Sequence, residues 1–243
     1  MTMMPLRYRI PVFLLKAKSK GFTNDMTFYE SVVFEIDSVL IDTLPAIRSL
    51  CSPADKKTDG KVMDEKLRSC LTRQNTGSPW EKTFAAGHGL VFKPTMNLTD
   101  EIISSCQPYE HVASLLESLK KTELSIGAIS MLPAPLITEV LKTSDLSYYF
   151  DALICDDTDM PRSKDIMLSD CFETLRAAAD RSVLIGAFPS SALAAWKSMT
   201  TFFASAYGFG FKDRSDALRF SPSFTVKSPD DLINLENHSV LLS

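Results

Sequence analysis

Apolar residues along this chain fall in short β-branched runs that alternate with stretches of helical period. Ser31 opens S-V-V-F-E-I-D-S-V-L-I-D-T-L, a run that reaches acids at its end, the pattern of a strand buried on both faces of a parallel sheet. Open α/β sheets gather their chemistry at that carboxyl edge. Further on, V-A-S-L-L-E-S-L-K-K sets Val112, Leu115, Leu116 and Leu119 at helical spacing, and the strand L-S-I-G-A-I-S (124–130) follows. A helix from about Pro135 to Lys142, a strand from Asp151 to Cys155, a helix from about Asp165 to Ala178 and a strand from Ser182 to Gly186 continue the alternation. A helix over Ser191 to Ser198, a short strand over Thr201 to Ala206, the turn-rich Y-G-F-G and a terminal S-P-D-D-L-I-N-L complete it. This order predicts an α/β fold of parallel strands joined by right-handed crossovers.

Between residues 44 and 106 strand character fades. Leu44 to Leu50 and Val62 to Thr72 read as helical, punctuated by C-S-P at 51–53 and by the stretch from Asn75 to Pro79. The expectation is a Rossmann-type core of residues 29–43 and 107–243, with a small α-helical cap, 44–106, inserted after the first strand. Residues 1–28 read as an N-terminal extension. Within 1–25 the bases Arg7, Arg9, Lys16, Lys18 and Lys20 precede the first acid, Asp25, and the apolar run from Ile10 to Leu15 is too short for a secretory core. A basic leader addressing an organelle and an extension ahead of a domain starting near Met26 both fit. Leaders tend to be serine-rich and clearly amphipathic, which favours the extension.

A chain of 243 residues with 45% hydrophobic side chains can bury such a core and carry one insertion. Its net charge of -4 supplies no basic field for a nucleic-acid backbone or an anionic membrane surface, so neither partner is expected. Nothing approaches a membrane span. The five cysteines are odd in number and free of any C-x-x-C pair, as suits reduced thiols in the cytoplasm. His88, His111 and His238 lie at no metal-ligand spacing.

The element order and four local signatures resemble the haloacid dehalogenase (HAD) superfamily, in its phosphoglycolate-phosphatase branch, over nearly everything from Ser31 onward. The family's first motif, D-x-D-G-T-L-x-D-[ST], aligns without a gap on E-I-D-S-V-L-I-D-T, so Glu35 stands at the nucleophile position and Asp37 at that of the general acid/base. Ser130 matches the second motif, a Ser or Thr at a strand end, and Lys164 in M-P-R-S-K-D matches the lysine of the third. The fourth, G-D-x-x-x-D, meets G-A-F-P-S-S, where Ala187 and Ser191 replace both acids. Q-P-Y-E-H-V, Y-Y-F-D-A-L-I, Y-G-F-G and S-P-D-D-L also recur in that branch.

The resemblance implies an aspartyl-phosphate mechanism assisted by Mg²⁺. Glu35 is as acidic as an aspartate, yet its added methylene displaces the carboxylate by about 1.5 Å, and misplacement of ~1 Å can cost ~10²-fold in rate. The implied metal ligands reduce to Glu35 and the backbone carbonyl of Asp37, so Mg²⁺ binding is expected to be weak or absent. A phosphate-sized anion cradle remains in Ser130 and Lys164. The expected function is that of a pseudophosphatase binding a phosphorylated small molecule, inorganic phosphate or a protein partner. The alternatives are a weak or relocated-metal Mg²⁺-dependent phosphatase acting on a small phosphate monoester, metal-independent dehalogenation, and a purely structural role. Blander readings stand beside these: Lys164 as a solvated side chain, Ser130 as a backbone cap, Asp42 as a cap of the following helix, Arg162 as a loop charge, and D-D-T-D at 156–159 as a solvated acidic loop.

Overall fold

The computed structural model describes residues 29–53, 62–63, 65–67, 90–92, 100–156 and 162–238. The run beginning at Ser31 forms β1 (Ser31–Glu35), buried at every position. Its neighbours are β6 (Ser125–Pro133) and β8 (Ser182–Gly186), both parallel to it. With β7 (Ala152–Asp156), β9 (Thr201–Ser205) and β10 (Phe224–Val226) they make a six-stranded parallel sheet in the order β10-β9-β8-β1-β6-β7. Chain order reverses at β1, with β6 and β7 added on one side and β8 to β10 on the other. The carboxyl end of β1 is therefore the topological switch point, where such sheets leave a crevice.

Helices cover both faces. α3 (Val112–Lys120) and α4 (Ala134–Thr143) bury Val112, Leu115, Leu116, Leu119 and Leu136, Ile137, Val140, Leu141 in one apolar cluster with Val32, Phe34 and Ile36. The first four stand at i, i+3, i+4, i+7 and the second four at i, i+1, i+4, i+5, each set one face of an amphipathic helix, each side chain worth about 2 kcal/mol when removed from water. On the other face α5 (Lys164–Leu175) and α6 (Pro189–Lys197) pack Met167, Leu168, Cys171, Phe172 and several alanines around Val33 and Leu184. Successive strand side chains point to opposite faces, so Glu35 shares the parity of Val33 and projects towards α5 and α6. The helices α7 (Arg214–Leu218) and α8 (Pro229–His238) accompany β9 and β10.

Between β1 and α3 lie β2 (Ile41–Asp42), α1 (Leu44–Leu50), β3 (Cys51–Pro53), β4 (Leu90–Phe92), α2 (Asp100–Ser105) and β5 (Gln107–Pro108). Within 44–106, where strand character was expected to fade, β3 pairs antiparallel with β4, and just outside that range β2 pairs antiparallel with β5. C-S-P at 51–53, expected as punctuation, is β3, because its hydrogen-bonding partner lies far along the chain where no local pattern reveals it. Helix is present at 62–63 and 65–67, and the remainder of the expected 62–72 helix lies outside the described residues, as does the expected extension, 1–28. Two boundaries also move. β6 continues past Ser130 to Pro133 through an irregularity in its pairing with β7. α5 stops at Leu175, where Arg176 turns left-handed at φ 54° and the Ala177 N–H closes on the Phe172 carbonyl.

Candidate active site

The register of the sheet assembles the site. Glu35 pairs with Ile129 on one side and Phe34 with Ile185 on the other, so Ser130 and Ala187 emerge just beyond β1 on its two flanks. Lys164 is the first residue of α5 and Ser191 lies in the first turn of α6. All six positions singled out in the sequence, Glu35, Asp37, Ser130, Lys164, Ala187 and Ser191, meet at this edge, and all are buried. They form two separate clusters rather than one.

In the first, the Glu35 carboxylate is ringed by hydrogen donors. Lys164 Nζ donates to its Oε1. Ser191 Oγ (2.7 Å) and the Ala187 N–H (2.9 Å) donate to its Oε2. Lys164 Nζ also reaches Ser191 Oγ at 3.1 Å and lies 4.5 Å from the centre of the Phe188 ring. The side chains of Lys164 and Glu35 retain 4% and 1% of their exposure. Gly186 permits the close approach of α6: a Cβ there would stand 2.5 Å from that of Ser191 and 3.1 Å from Glu35 Oε2.

Asp37 centres the second cluster. Its Oδ1 accepts from Thr43 Oγ1 (2.8 Å), and its Oδ2 from Ser130 Oγ (2.7 Å) and the Met131 N–H (3.1 Å). Ser130 Oγ in turn accepts from the Leu132 N–H at 3.1 Å. Burial, the largest influence, holds the Asp37 carboxyl above its ordinary range against the hydroxyls of Ser130 and Thr43, and the negative charge of Glu35 pushes the same way. Ser130 and Lys164, paired in the sequence reading as an anion cradle, thus bond to different carboxylates of the chain itself.

The turn after β1 is held from above. Ser38 adopts φ 71°, where an L-residue costs roughly 1–2 kcal/mol, and its Oγ accepts the Gly210 N–H at 2.8 Å. Gly210 is obligatory in this contact, since a Cβ on it would sit 2.1 Å from the Ala187 carbonyl oxygen, which itself accepts the Phe211 N–H at 2.8 Å. Tyr207 O–H donates to the Val39 carbonyl at 2.6 Å. The Y-G-F-G segment, noted in the sequence without a role, is therefore the clamp on both β1 and β8 ends. Thr43 and Phe188 were not singled out either. Thr43 was within reach as a hydroxyl six residues after Asp37, whereas only the tertiary structure brings the Phe188 ring under Lys164.

The residues around Glu35 do not fit a magnesium ion. Mg²⁺ requires a near-octahedral shell of oxygen lone pairs, but an ammonium, a hydroxyl hydrogen and an amide hydrogen point at Glu35, and position 187 contributes a methyl group. Among the described residues no group of three or more His, Cys, Asp and Glu side chains is arranged to hold a metal ion. His111 stands 3.3 Å from Glu110 and 3.7 Å from Asp230. Asp42 Oδ1 accepts the Leu44 N–H at 3.1 Å.

Arg162, expected as a loop charge, lies in the loop before α5, where it binds Asp170 (2.6 Å) and the Cys155 carbonyl (2.7 Å), and its backbone N–H donates to the buried Asp156 at 3.1 Å. Asp156 is held at the end of β7 rather than solvated, and Asp157 and Asp159 lie outside the described residues.

Comparison with solved structures finds this architecture repeatedly. A haloacid dehalogenase-like family hydrolase, SP0104 from Streptococcus pneumoniae, superimposes with a TM-score of 0.65 at 17% identity, covering 84% of this chain and 97% of that one. A predicted phosphatase from Clostridium acetobutylicum gives 0.63 at 19% identity, covering 88% and 100%. A predicted phosphoglycolate phosphatase from Haemophilus somnus gives 0.60 at 12% identity, covering 87% and 99%. These likenesses are of fold. No curated protein matches in sequence. The sequence profile of the haloacid dehalogenase-like hydrolases matches residues 32–204, from β1 through β9, and the chain belongs to that family.

Proposed function

We propose that the chain is a pseudophosphatase: a HAD-fold protein without phosphoryl-transfer turnover, which acts by binding. One observation carries this reading. Both oxygens of the carboxylate at the nucleophile position are engaged by donors of the chain itself, Lys164 on one and Ser191 with the Ala187 N–H on the other. A carboxylate that attacks phosphorus in line must present a free lone pair at a fixed place, and the positions that would gather a cation beside it are two donors and a methyl group. Metal neutralisation of a transferring phosphoryl group is worth several kcal/mol, on the order of 10³-fold in rate. Asp37, hydrogen-bonded three times and buried, supports the fold of the β1 end in this reading rather than proton transfer.

Of the ligands that the sequence leaves open, a protein partner is favoured over a phosphorylated one, because Ser130 and Lys164 are committed to Asp37 and Glu35. We take residues 44–106 as an inserted cap on the core 29–43 and 107–243. Supporting this, the β2–β5 pair sets Asp42 beside Gln107, so the two ends of the insertion meet. A reducing cytoplasm suits Cys106, Cys155 and Cys171, which are buried as free thiols. No helix among the described residues is long and apolar enough to cross a membrane.

The test is hydrolysis of p-nitrophenyl phosphate and 2-phosphoglycolate by the purified protein with and without Mg²⁺, with Glu35→Gln and Asp37→Asn as controls. The expected result is no turnover above the controls. Magnesium-dependent turnover abolished by both substitutions would overturn the proposal and make Glu35 a working nucleophile.

A further inference from the structure

Three donors converge on the Glu35 carboxylate, and none of them belongs to β1. Lys164 comes from the start of α5, the Ala187 N–H from the residue after β8, and Ser191 from the first turn of α6. Each is held independently of Glu35. Ser191 N–H bonds the Phe188 carbonyl at 3.0 Å, the Ala187 carbonyl is tied to Phe211, and Lys164 Nζ rests on the Phe188 ring. The three donors therefore form an anion cradle built by the scaffold, and a carboxylate from the neighbouring strand fills it.

We infer that Glu35 serves as the built-in ligand of this cradle, and that the site is a small-carboxylate site which the chain occupies itself. The inference rests on the reading that Glu35 performs no turnover. Its chemical content is specific. Beyond Cβ, the Glu35 side chain is one methylene and one carboxylate, the atoms of an acetate ion. Truncation to alanine leaves a buried vacancy of that size, with a cation, a hydroxyl and an amide N–H facing it. Buried donors without an acceptor are costly, so an acetate-sized monoanion is drawn into the vacancy. In the native protein the same donors are spent, and the cradle is closed to added acetate and to inorganic phosphate alike. An anion of a partner is consequently not read at this edge unless Glu35 first leaves it.

Glu35→Ala is to be melted in sodium acetate, sodium phosphate and sodium chloride at matched pH and ionic strength, beside wild type and Glu35→Ala/Lys164→Met. Linkage requires a ligand that binds the folded state alone to raise Tm with concentration. The expected result is a rise of Tm with acetate in Glu35→Ala, above chloride and above phosphate, with no rise in wild type and loss of the response in the double variant. If Glu35→Ala does not fold in chloride, the yield on refolding from urea in acetate against chloride reads the same property. An acetate effect no greater than that of chloride, in melting or in refolding, overturns the inference. So does an equal response in wild type or in the double variant, and a larger response to phosphate than to acetate overturns the assignment to carboxylates. Turnover by the wild type in the hydrolysis assay is a separate result: it overturns the pseudophosphatase reading, whereas a missing acetate response without turnover overturns the self-occupied cradle alone.

Discussion

Lys164→Met removes the cation bonded to Glu35 and leaves a carboxylate with 1% of its side-chain exposure facing apolar surroundings. Breaking a buried ion pair from one side costs about 3–5 kcal/mol. Glu35 keeps the Ser191 hydroxyl and the Ala187 N–H, so the loss belongs at the lower end, about 3 kcal/mol. Glu35→Gln strands the ammonium instead, with Ser191 Oγ and the Phe188 ring still against it, again about 3–4 kcal/mol. Removing both charges eliminates the stranded ion. The glutamine oxygen still accepts from Ser191 and Ala187, and the remaining penalty is a buried amide N–H facing a thioether, about 1–2 kcal/mol. The single losses sum to about 6–7 kcal/mol and the double loss to about 2, a coupling of roughly 4–5 kcal/mol. The assay is urea unfolding of wild type, both single variants and the double variant, followed by near- and far-ultraviolet circular dichroism. Coincident transitions establish that one unfolding free energy is defined. Additivity of the single effects within about 0.5 kcal/mol would refute the reasoning, because two groups that bond each other in a buried site cannot be independent.

Further expectations come from the clamp and from the second cluster. Gly210→Ala drives a Cβ to 2.1 Å from the Ala187 carbonyl oxygen and should lower the urea midpoint by the equivalent of about 3 kcal/mol. At Ser38, alanine keeps the left-handed φ of 71° and loses the acceptor of the Gly210 N–H, while glycine loses only the acceptor. Ser38→Ala should therefore unfold about 1 kcal/mol more easily than Ser38→Gly, and the opposite order in thermal melts counts against strain at this turn. Asp37 binds its proton more tightly folded than unfolded. Its contribution is thus fully stabilising below its ordinary value of 3.8 and is lost as pH rises through the raised folded value. Asp37→Asn should flatten that part of the pH–stability curve, and an unchanged slope in pH-dependent melts contradicts the assignment. Burial pushes the thiols of Cys106 to about 11 and of Cys155 and Cys171 to about 12. Labelling of these three at about pH 8 should be slow in the folded protein and rapid in urea, as mass spectrometry of digests will show.

Much of the fold is legible because its causes are local. The run from Val32 to Phe34 is apolar at successive positions and the strands alternate with segments of helical period, and such alternation has one common solution, a parallel sheet covered on both faces. The misreadings mark where the cause is not local. Cys51–Pro53 becomes a strand through a partner at Leu90–Phe92, and β6 runs on to Pro133 because β7 lies alongside it there. In the candidate site, family motifs located all six positions, but their roles depended on partners that sequence spacing does not show. Lys164 and Ser130 read equally well as free anion donors until their acceptors were known.

The sequence by itself determined the α/β class, the core order β1, α3, β6, α4, β7, α5, β8, α6 and β9, the edge at which Glu35, Asp37, Ser130 and Lys164 gather, and the absence of carboxylates at 187 and 191. Those properties follow from periodicity, composition and motif order along a single chain. Only the tertiary structure decided what each polar group faces. Glu35 meets Lys164 across 129 positions and Ser191 across 156, and Asp37 meets Ser130 across 93. The sheet register and pleat bring them together, and burial removes the water that would otherwise satisfy each group separately. In that low-dielectric edge a buried charge must find its partner within the chain, which is why this edge closes on its own carboxylates.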